Sequence, residues 1–350
     1  MFFGEKISKT RKVISVVFVV LTILLSSFAF YAYQVTQSPN FLVQKTKAKI
    51  LYIPKGTDFK GLVAILKKED MANNIVSFAF LAKTMNYQEN VKAGAYLIEP
   101  NMTNLEVIRK LRAGNQTPLK FTFNYLRTKK DLAERIAKQL PIPANDWLSL
   151  LNNPDVAKKY QLDTNTITTL FLPDTYEVYW TNTPEEILDK MYKAYQKFWT
   201  KERLDKAAQY NLTPTQVIIL ASIVQAETAK NDEKQRVAGV YLNRLAKNDL
   251  LQADPTVIFA WQDFSIKRVL SKHLKIDSPY NTYKYVGLPP GAINIPEKSS
   301  IEAVLNAEKH NFYYFCAKED FSGYHNFAEN LAQHNQNARL YQQALAKKGY

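Results

Sequence analysis

Cysteine is nearly absent from this chain. Cys316 is the single one in 350 residues, so no intramolecular disulfide can form. Its setting, Phe312-Tyr-Tyr-Phe-Cys-Ala317, reads as a buried strand with Cys316 as a small core hydrophobe. Histidine is also scarce, at four residues. No second cysteine or paired histidine supplies the ligand spacing of a structural zinc site. A metal site built from His310, His325 and His334 has no recognised spacing either, so neither metal nor other cofactor is expected. Glycine numbers only ten, and no cluster forms a phosphate-cradling loop. Nucleotide chemistry therefore has no support. Acidic residues are in deficit: 32 Asp and Glu against 46 Lys and Arg give a net charge of +14. That excess favours an anionic partner. The basic residues are spread along the chain, which suits general attraction to an anionic surface or polymer and argues against a nucleic-acid groove.

What is present begins with an apolar run. Val13 to Tyr33 carries no charge and is mostly Val, Leu, Ile, Phe and Ala. Twenty-one residues suffice to cross a bilayer core. Lys6, Lys9, Arg11 and Lys12 precede it, which predicts a cytoplasmic N-terminus for residues 1–12. Tyr31 and Tyr33 stand where an interfacial aromatic belt would be. The alternative is a cleaved signal peptide, with Ser27 and Ala29 as a small-x-small site. In either case the residues after 34 are expected outside the cytoplasm.

Residues 34–48 are polar and read as a tether. A strand–turn–helix layout then recurs: Ile50 to Ile53 with a helix over Asp58 to Lys67, Tyr96 to Ile98 with a helix from Thr103 through Leu111, and Phe121 to Phe123 with a helix over 131–140. Thr103 and Glu106 have capping-box spacing, and Gly114 closes that helix. The fold class expected is α+β: a transmembrane helix over 13–33, a small α/β domain over 49–118 and a larger α+β domain over 119–350. In the larger domain the pattern predicts helices over 184–209, 214–228 and 233–247, with Asp232 and Gln235 capping the last. It also predicts strands over 121–125, 175–180 and 312–317, and a polar turn with a strand-like end over Leu251 to Val257.

The most informative segment is Leu212-Thr-Pro-Thr-Gln-Val-Ile-Ile-Leu-Ala-Ser-Ile-Val-Gln-Ala-Glu227. Thr213 is placed to cap, Gln216 follows at capping-box spacing, and Pro214 takes the first helical position. Leu212 and Val217 are positioned as a hydrophobic staple. From Val217 to Val224 only Ser222 interrupts the apolar run, so the helix is expected to be buried on most sides. Glu227 shares the face of Leu220, Ile223 and Val224, while Gln225 points about 200° away around the axis. A carboxyl in an apolar wall loses hydration, which raises its pKa and makes it a proton donor near neutral pH. The plainer reading, that Glu227 is where a buried helix meets water, stays open on pattern alone.

Further motifs follow in order: Val240-Tyr-Leu-Asn-Arg-Leu245, Leu251-Gln-Ala-Asp-Pro-Thr-Val257, Ser278-Pro-Tyr-Asn-Thr-Tyr283, Gly287-Leu-Pro-Pro-Gly291 and His325-Asn-Phe327. Their loops are rich in Asn, Thr, Tyr and Pro, which suits hydroxyl- and amide-bearing ligands, although Pro-Pro-Gly and Ser-Pro are also ordinary turn makers. With Ala221-Ser-Ile-Val-Gln-Ala-Glu-Thr228 and Phe171-Leu-Pro-Asp-Thr-Tyr176, they make the chain resemble the MltG/YceG-like endolytic murein transglycosylases over residues 49–345. The resemblance implies a single-pass inner-membrane protein with a LysM-like small domain and a catalytic domain facing the wall. It implies peptidoglycan glycan strands as substrate, peptidoglycan synthases of the elongation or division machinery as partners, and no nucleic acid. The family's helix usually carries Glu-x-Glu; here the first position is Gln225, so Glu227 is the acid. The family's Glu-Gly ahead of Pro-Asp-Thr-Tyr is also missing, with Thr168-Thr169-Leu170 in its place.

On that resemblance Glu227 would protonate the oxygen between N-acetylmuramic acid and N-acetylglucosamine, then take the proton of the muramic 6-hydroxyl as a 1,6-anhydro ring closes. Asp254, Tyr280, Asn281, Thr282, His325 and Asn326 are the candidates for lining the sugar cleft, with Asp254 equally readable as a turn residue. Competing readings are a muramidase using Asp254 as second carboxylate, a non-enzymatic glycan-binding scaffold, and a salt-sensitive binder of anionic polymers.

Overall fold

A computed structural model describes residues 9–348. Lys6 and the start of the expected cytoplasmic tail lie outside the described residues. The chain divides into two compact units, the first running to Leu119 and taking in Glu177–Thr181, the second made of Lys120–Tyr176 and Asn182 onward.

In the first unit, helix α1 (Lys9–Gln37) leads into strand β1 (Pro39–Phe41), β2 (Lys49–Ile53), α2 (Phe59–Lys68), α3 (Ile75–Thr84), β3 (Gly94–Ile98), β4 (Met102–Thr103) and α4 (Asn104–Ala113). Helix α1 is long and apolar enough to cross a membrane by length and composition. Its end is tied to the unit: Asn104 donates to the Val35 carbonyl at 2.9 Å and accepts from Asn40 at 2.6 Å. Strands β2 and β3 pair antiparallel, Lys49 opposite Ile98 and Ile53 opposite Gly94. Leu62 and Leu66 of α2, Phe78 of α3 and Ile108 of α4 close over them in one core. The capping box of Thr103 and Glu106 is present, and Gly114 ends α4 at φ 75°, the left-handed region where glycine meets no Cβ clash. Residues 177–181, expected with the larger domain, belong here: Tyr52 packs on Trp180 at 4.5 Å and Gln116 bonds Thr181 at 2.9 Å.

The second unit contains most of β5 (Leu119–Phe123), α5 (Lys129–Ala137), α6 (Ala144–Leu151), α7 (Pro154–Lys159), most of β6 (Asp174–Val178), α8 (Pro184–Phe198), α9 (Lys201–Gln209), α10 (Pro214–Glu227), α11 (Lys234–Ala246), α12 (Asp254–Trp261), α13 (Lys298–Leu305), β7 (Tyr314–Ala317), β8 (His325–Ala328) and α14 (Leu331–Lys347). Its axis is α10, surrounded by α9, α11, α12 and α13. Every residue from Val217 to Val224 is buried. They pack against Val237, Ala238 and Tyr241 of α11 and Ile301 and Val304 of α13.

Four expectations need correction. The helix over 184–209 is two helices, because the Thr200 side chain accepts from Arg203 N and starts α9 afresh. The strand-like end at Val257 is the body of α12, with Pro255 in its first turn, where a missing N–H costs nothing. Asp232 and Gln235 do not cap α11; Glu233 holds the N-cap position without a side-chain cap bond, because its carboxylate is spent on His325. Cys316 is half-buried, not core, since β7 pairs with β8 alone and its residues all keep partial exposure.

Candidate active site

Helix α10 sets the position of Glu227. The Thr213 hydroxyl accepts from Gln216 N and the Gln216 side chain accepts from Thr213 N, which fixes the helix start. Four turns on, the backbone turns extended at Thr228, leaving Glu227 as the last helical residue. Its carboxyl lines a cavity of about 250 Å³ together with Tyr241, Arg244, Gln252, Asp254, Tyr283, Cys316 and His325. Gln225 points elsewhere, as its helical phase requires: it accepts from Ser300 Oγ at 2.6 Å and from Glu297 N at 3.3 Å.

The Tyr241 hydroxyl donates to Glu227 Oε1 at 2.6 Å. Burial pushes the Glu227 carboxyl up to about 7; Tyr241 pulls it down, the nearby Asp254 raises it, and Arg244 lowers it. Desolvation wins because the helix brings the group into a wall with few compensating charges. Asp254 is also raised by burial, against the 2.6 Å bond that it accepts from the Tyr283 hydroxyl. Arg244 is held among backbone carbonyls, donating to Tyr313 O at 2.7 Å and Leu251 O at 2.6 Å. It therefore pins β7 and the loop before α12 around the cavity. Glu233 does the same for β8, accepting from His325 N and pairing with His325 Nδ1, both at 2.8 Å.

Of the six cleft candidates, Asp254 and His325 share the cavity with Glu227. Tyr280 lines a neighbouring cavity of about 400 Å³ instead. A Cβ on Gly291 would stand 2.8 Å from its hydroxyl and 2.4 Å from Asn165 O, so the Pro-Pro-Gly turn is glycine for close approach. Asn281 and Thr282 are buried braces, not cleft residues. Asn281 donates to the Leu274 and Ile276 carbonyls. The Thr282 hydroxyl accepts from Ala253 N at 3.0 Å and bonds Thr256 Oγ1 at 2.8 Å. The Thr282 hydroxyl is consumed in fixing the start of α12, and hence Asp254, while Asn281 holds its own turn, accepting from Tyr283 N at 3.1 Å. Asn326 turns its amide to Glu319. Tyr241, Tyr283, Arg244, Gln252 and Glu233 were not among the candidates. Tyr283 ends a quoted motif, but only the fold brings it to Asp254. Among the described residues no group of three His, Cys, Asp or Glu could hold a metal ion.

A carboxyl raised to about 7 by burial, bonded by a phenol and sharing its cavity with a second carboxyl, is an arrangement suited to proton transfer. The YceG-like family model matches residues 51–340, and the chain belongs to that family. Two relatives from Streptococcus pneumoniae, each named an endolytic murein transglycosylase, are 26% identical, the match covering 91% of this chain and 63% of theirs. A Bacillus subtilis protein of the same name is 28% identical, with 83% of each chain covered. The chain thus spans under two thirds of the length of the pneumococcal relatives. The crystal structure of a YceG-like protein from Listeria monocytogenes is similar at a TM-score of 0.54 and 30% identity, covering 83% of this chain and 98% of that one.

Proposed function

We propose that this chain is a membrane-anchored lytic transglycosylase that cuts peptidoglycan strands internally, between N-acetylmuramic acid and N-acetylglucosamine. The observation that carries this reading is the Glu227 carboxyl, raised to about 7 in a cavity wall and bonded by Tyr241. The relatives' names support the substrate and the endolytic action, and the apolar α1 supports the anchor. A LysM-like first unit fits its strand–helix–helix–strand core over 49–98.

Protonated Glu227 gives its hydrogen to the glycosidic oxygen as the C1–O bond breaks. The carboxylate left behind is held by the Tyr241 hydroxyl. It then takes the proton of the muramic 6-hydroxyl, whose oxygen bonds C1 and closes the 1,6-anhydro ring. One group serves as acid and then base, no water is consumed, and the enzyme ends as it began.

Asp254 gives a second reading some footing. It shares the cavity and raises Glu227, so a hydrolase using it to activate water is the runner-up. The deciding experiment digests purified uncrosslinked strands in H₂¹⁸O. Anhydro ends without ¹⁸O support the transglycosylase; ¹⁸O-labelled reducing ends replace it with the hydrolase. Glu227→Gln should lower the rate by about 10²–10⁴-fold, and full activity in that variant would remove Glu227 from the role.

A further inference from the structure

We infer that the second unit carries a further binding site, a cationic groove centred on Arg127 and Asn294, that takes the carboxylate-bearing stem peptides of the glycan strand. This rests on the peptidoglycan-cleaving reading above. Three cavities of about 400, 690 and 250 Å³ share Arg127 in their walls. The last of them is bounded by Ala226 and Pro255. Their chain neighbours Glu227 and Asp254 line the reaction cavity. Groove and reaction cavity therefore flank the same two helix ends, the last turn of α10 and the first of α12.

Asn294 gives the groove an unmet acceptor. It is 3% exposed, and its Nδ2 donates to Ser222 O at 2.7 Å. Its Oδ1 has no hydrogen-bond partner among the described residues, and the residue lines two of the three cavities. A buried amide oxygen left without a donor is costly and uncommon. A ligand N–H or O–H would satisfy it.

Arg127 gives the groove an unmet cation. Its guanidinium lies over the Phe264 ring at 4.6 Å. It is exposed and has no carboxylate at ion-pair distance among the described residues. The 400 Å³ cavity adds Lys129 and Lys130 with no Asp or Glu in its lining. Lys129 is already bonded to Leu151 O and Asn152 Oδ1, so it contributes field and not a free donor. The acids of the 690 Å³ cavity are outnumbered: Asp131 and Glu134 face Arg127, Lys130, Arg135 and Lys138. Asp131 is also committed to the cap of α5.

The two groups are tied to the reaction helix. Ile295 N donates to Leu126 O at 2.8 Å, beside Arg127, and Ile293 N donates to Ser222 Oγ at 3.1 Å, inside α10. The groove thus keeps a fixed spacing from Glu227. A ligand for it must offer an anion to Arg127 and a hydrogen-bond donor to Asn294. In a peptide-bearing strand the muramic lactyl carboxyl is tied up as an amide, so the sugars themselves offer the donor but no anion. The peptide carried on each muramic lactyl group offers both, as amide N–H groups and free carboxylates.

The test uses the full chain in detergent on two substrates: uncrosslinked strands bearing stem peptides, and the same strands with their stem-peptide carboxylates converted to amides by carbodiimide and ammonia, because removing the peptide with an amidase would bare a lactyl carboxylate on each muramic residue. Arg127→Ala should lower the ratio of kcat/KM between native and amidated strands about tenfold, the scale of one charge-assisted contact. Arg127→Lys should fall between, since it keeps the charge and loses the planar fork. Co-sedimentation of both substrates in a Glu227→Gln background gives the same ratio as binding. A ratio unchanged by Arg127→Ala, or equal losses on both substrates, overturns the inference. Should Glu227→Gln keep full cleavage, the catalytic reading fails instead, while the Arg127 ratio still decides the groove.

Discussion

The Tyr241 hydroxyl stands 2.6 Å from Glu227 Oε1, joining α11 to the last residue of α10. The bond favours the ionised carboxylate and so opposes the burial that raises it. Tyr241→Phe removes that opposition, and the Glu227 pKa should climb further. Activity that needs protonated Glu227 declines as pH rises through its pKa, so the alkaline limb should move to higher pH by about one unit, the worth of one bond to a charged group. The maximal rate should fall at the same time, because the carboxylate intermediate loses its donor. A pH–rate profile of the variant checks both; an unmoved limb would show that Tyr241 does not act on Glu227.

The same carboxyl makes stability depend on pH. Its folded pKa of about 7 lies above the ordinary carboxyl value of 4.5, so the folded state binds the proton more tightly than the unfolded chain. That contribution is complete below about pH 4.5 and is lost as pH rises towards 7, amounting to about 3 kcal/mol. Glu227→Gln carries no charge to bury. It should therefore unfold at higher denaturant than wild type at pH 8, and the difference should vanish at pH 4.5. Equal midpoints at pH 8 would mean that the carboxyl is not desolvated.

Thr282 tests the distinction between brace and ligand. Thr282→Val keeps the shape and removes the hydroxyl that serves Ala253 N and Thr256 Oγ1. The buried N–H at the start of α12 is left unmet, and stability should fall by about 1–3 kcal/mol. Thermal unfolding measures this directly. A sugar ligand would behave in the opposite way, raising KM with stability intact.

Much of α10 was legible because its signals are local. Thr213, Pro214 and Gln216 announce the start, and the 3.6-residue period separates Glu227 from Gln225. What surrounds Glu227 was not local. Tyr283 meets Asp254 across 29 positions, and His325 meets Glu233 across 92; no window of sequence contains either pair. Helix α12 is hidden because Leu251 to Val257 reads as a polar turn with a strand-like end, while Pro255 fits a helix start just as well. Helix α14, Leu331–Lys347, leaves a weak signal because its inner stripe of His334, Asn337, Ala338, Tyr341, Ala344 and Leu345 is only half-buried and carries few large apolar side chains. Strand β8 is four residues long and exists through its pairing with β7, Phe315 opposite Phe327. Asn281 and Thr282 were chosen as polar loop residues, but the amide and hydroxyl that suit a sugar serve equally well to hold a buried loop.

Gln225 and Lys234 supply the last prediction. Lys234 is 2% exposed, and its ammonium reaches Gln225 Oε1 and Ser299 Oγ only at 3.4 Å. Burial pushes its pKa down, with Glu297 the one charge that raises it. A depressed amine costs stability at neutral pH, because the folded state holds the proton less tightly than the unfolded chain does. Gln225→Glu would set a carboxylate beside the buried ammonium, with Ser300 Oγ and Glu297 N already aimed at the same oxygen. A charge-assisted bond in place of a neutral one should raise stability at pH 7 by about 1–3 kcal/mol. The gain should disappear above about pH 10.5, where the lysine is neutral in either state. Gln225 lies outside the reaction cavity but lines the Arg127 groove, so unfolding and not activity is the readout. Denaturant unfolding of both proteins at pH 7 and pH 11 checks the sign. A variant less stable than wild type at pH 7 would mean that desolvating the new carboxylate outweighs its attraction to Lys234.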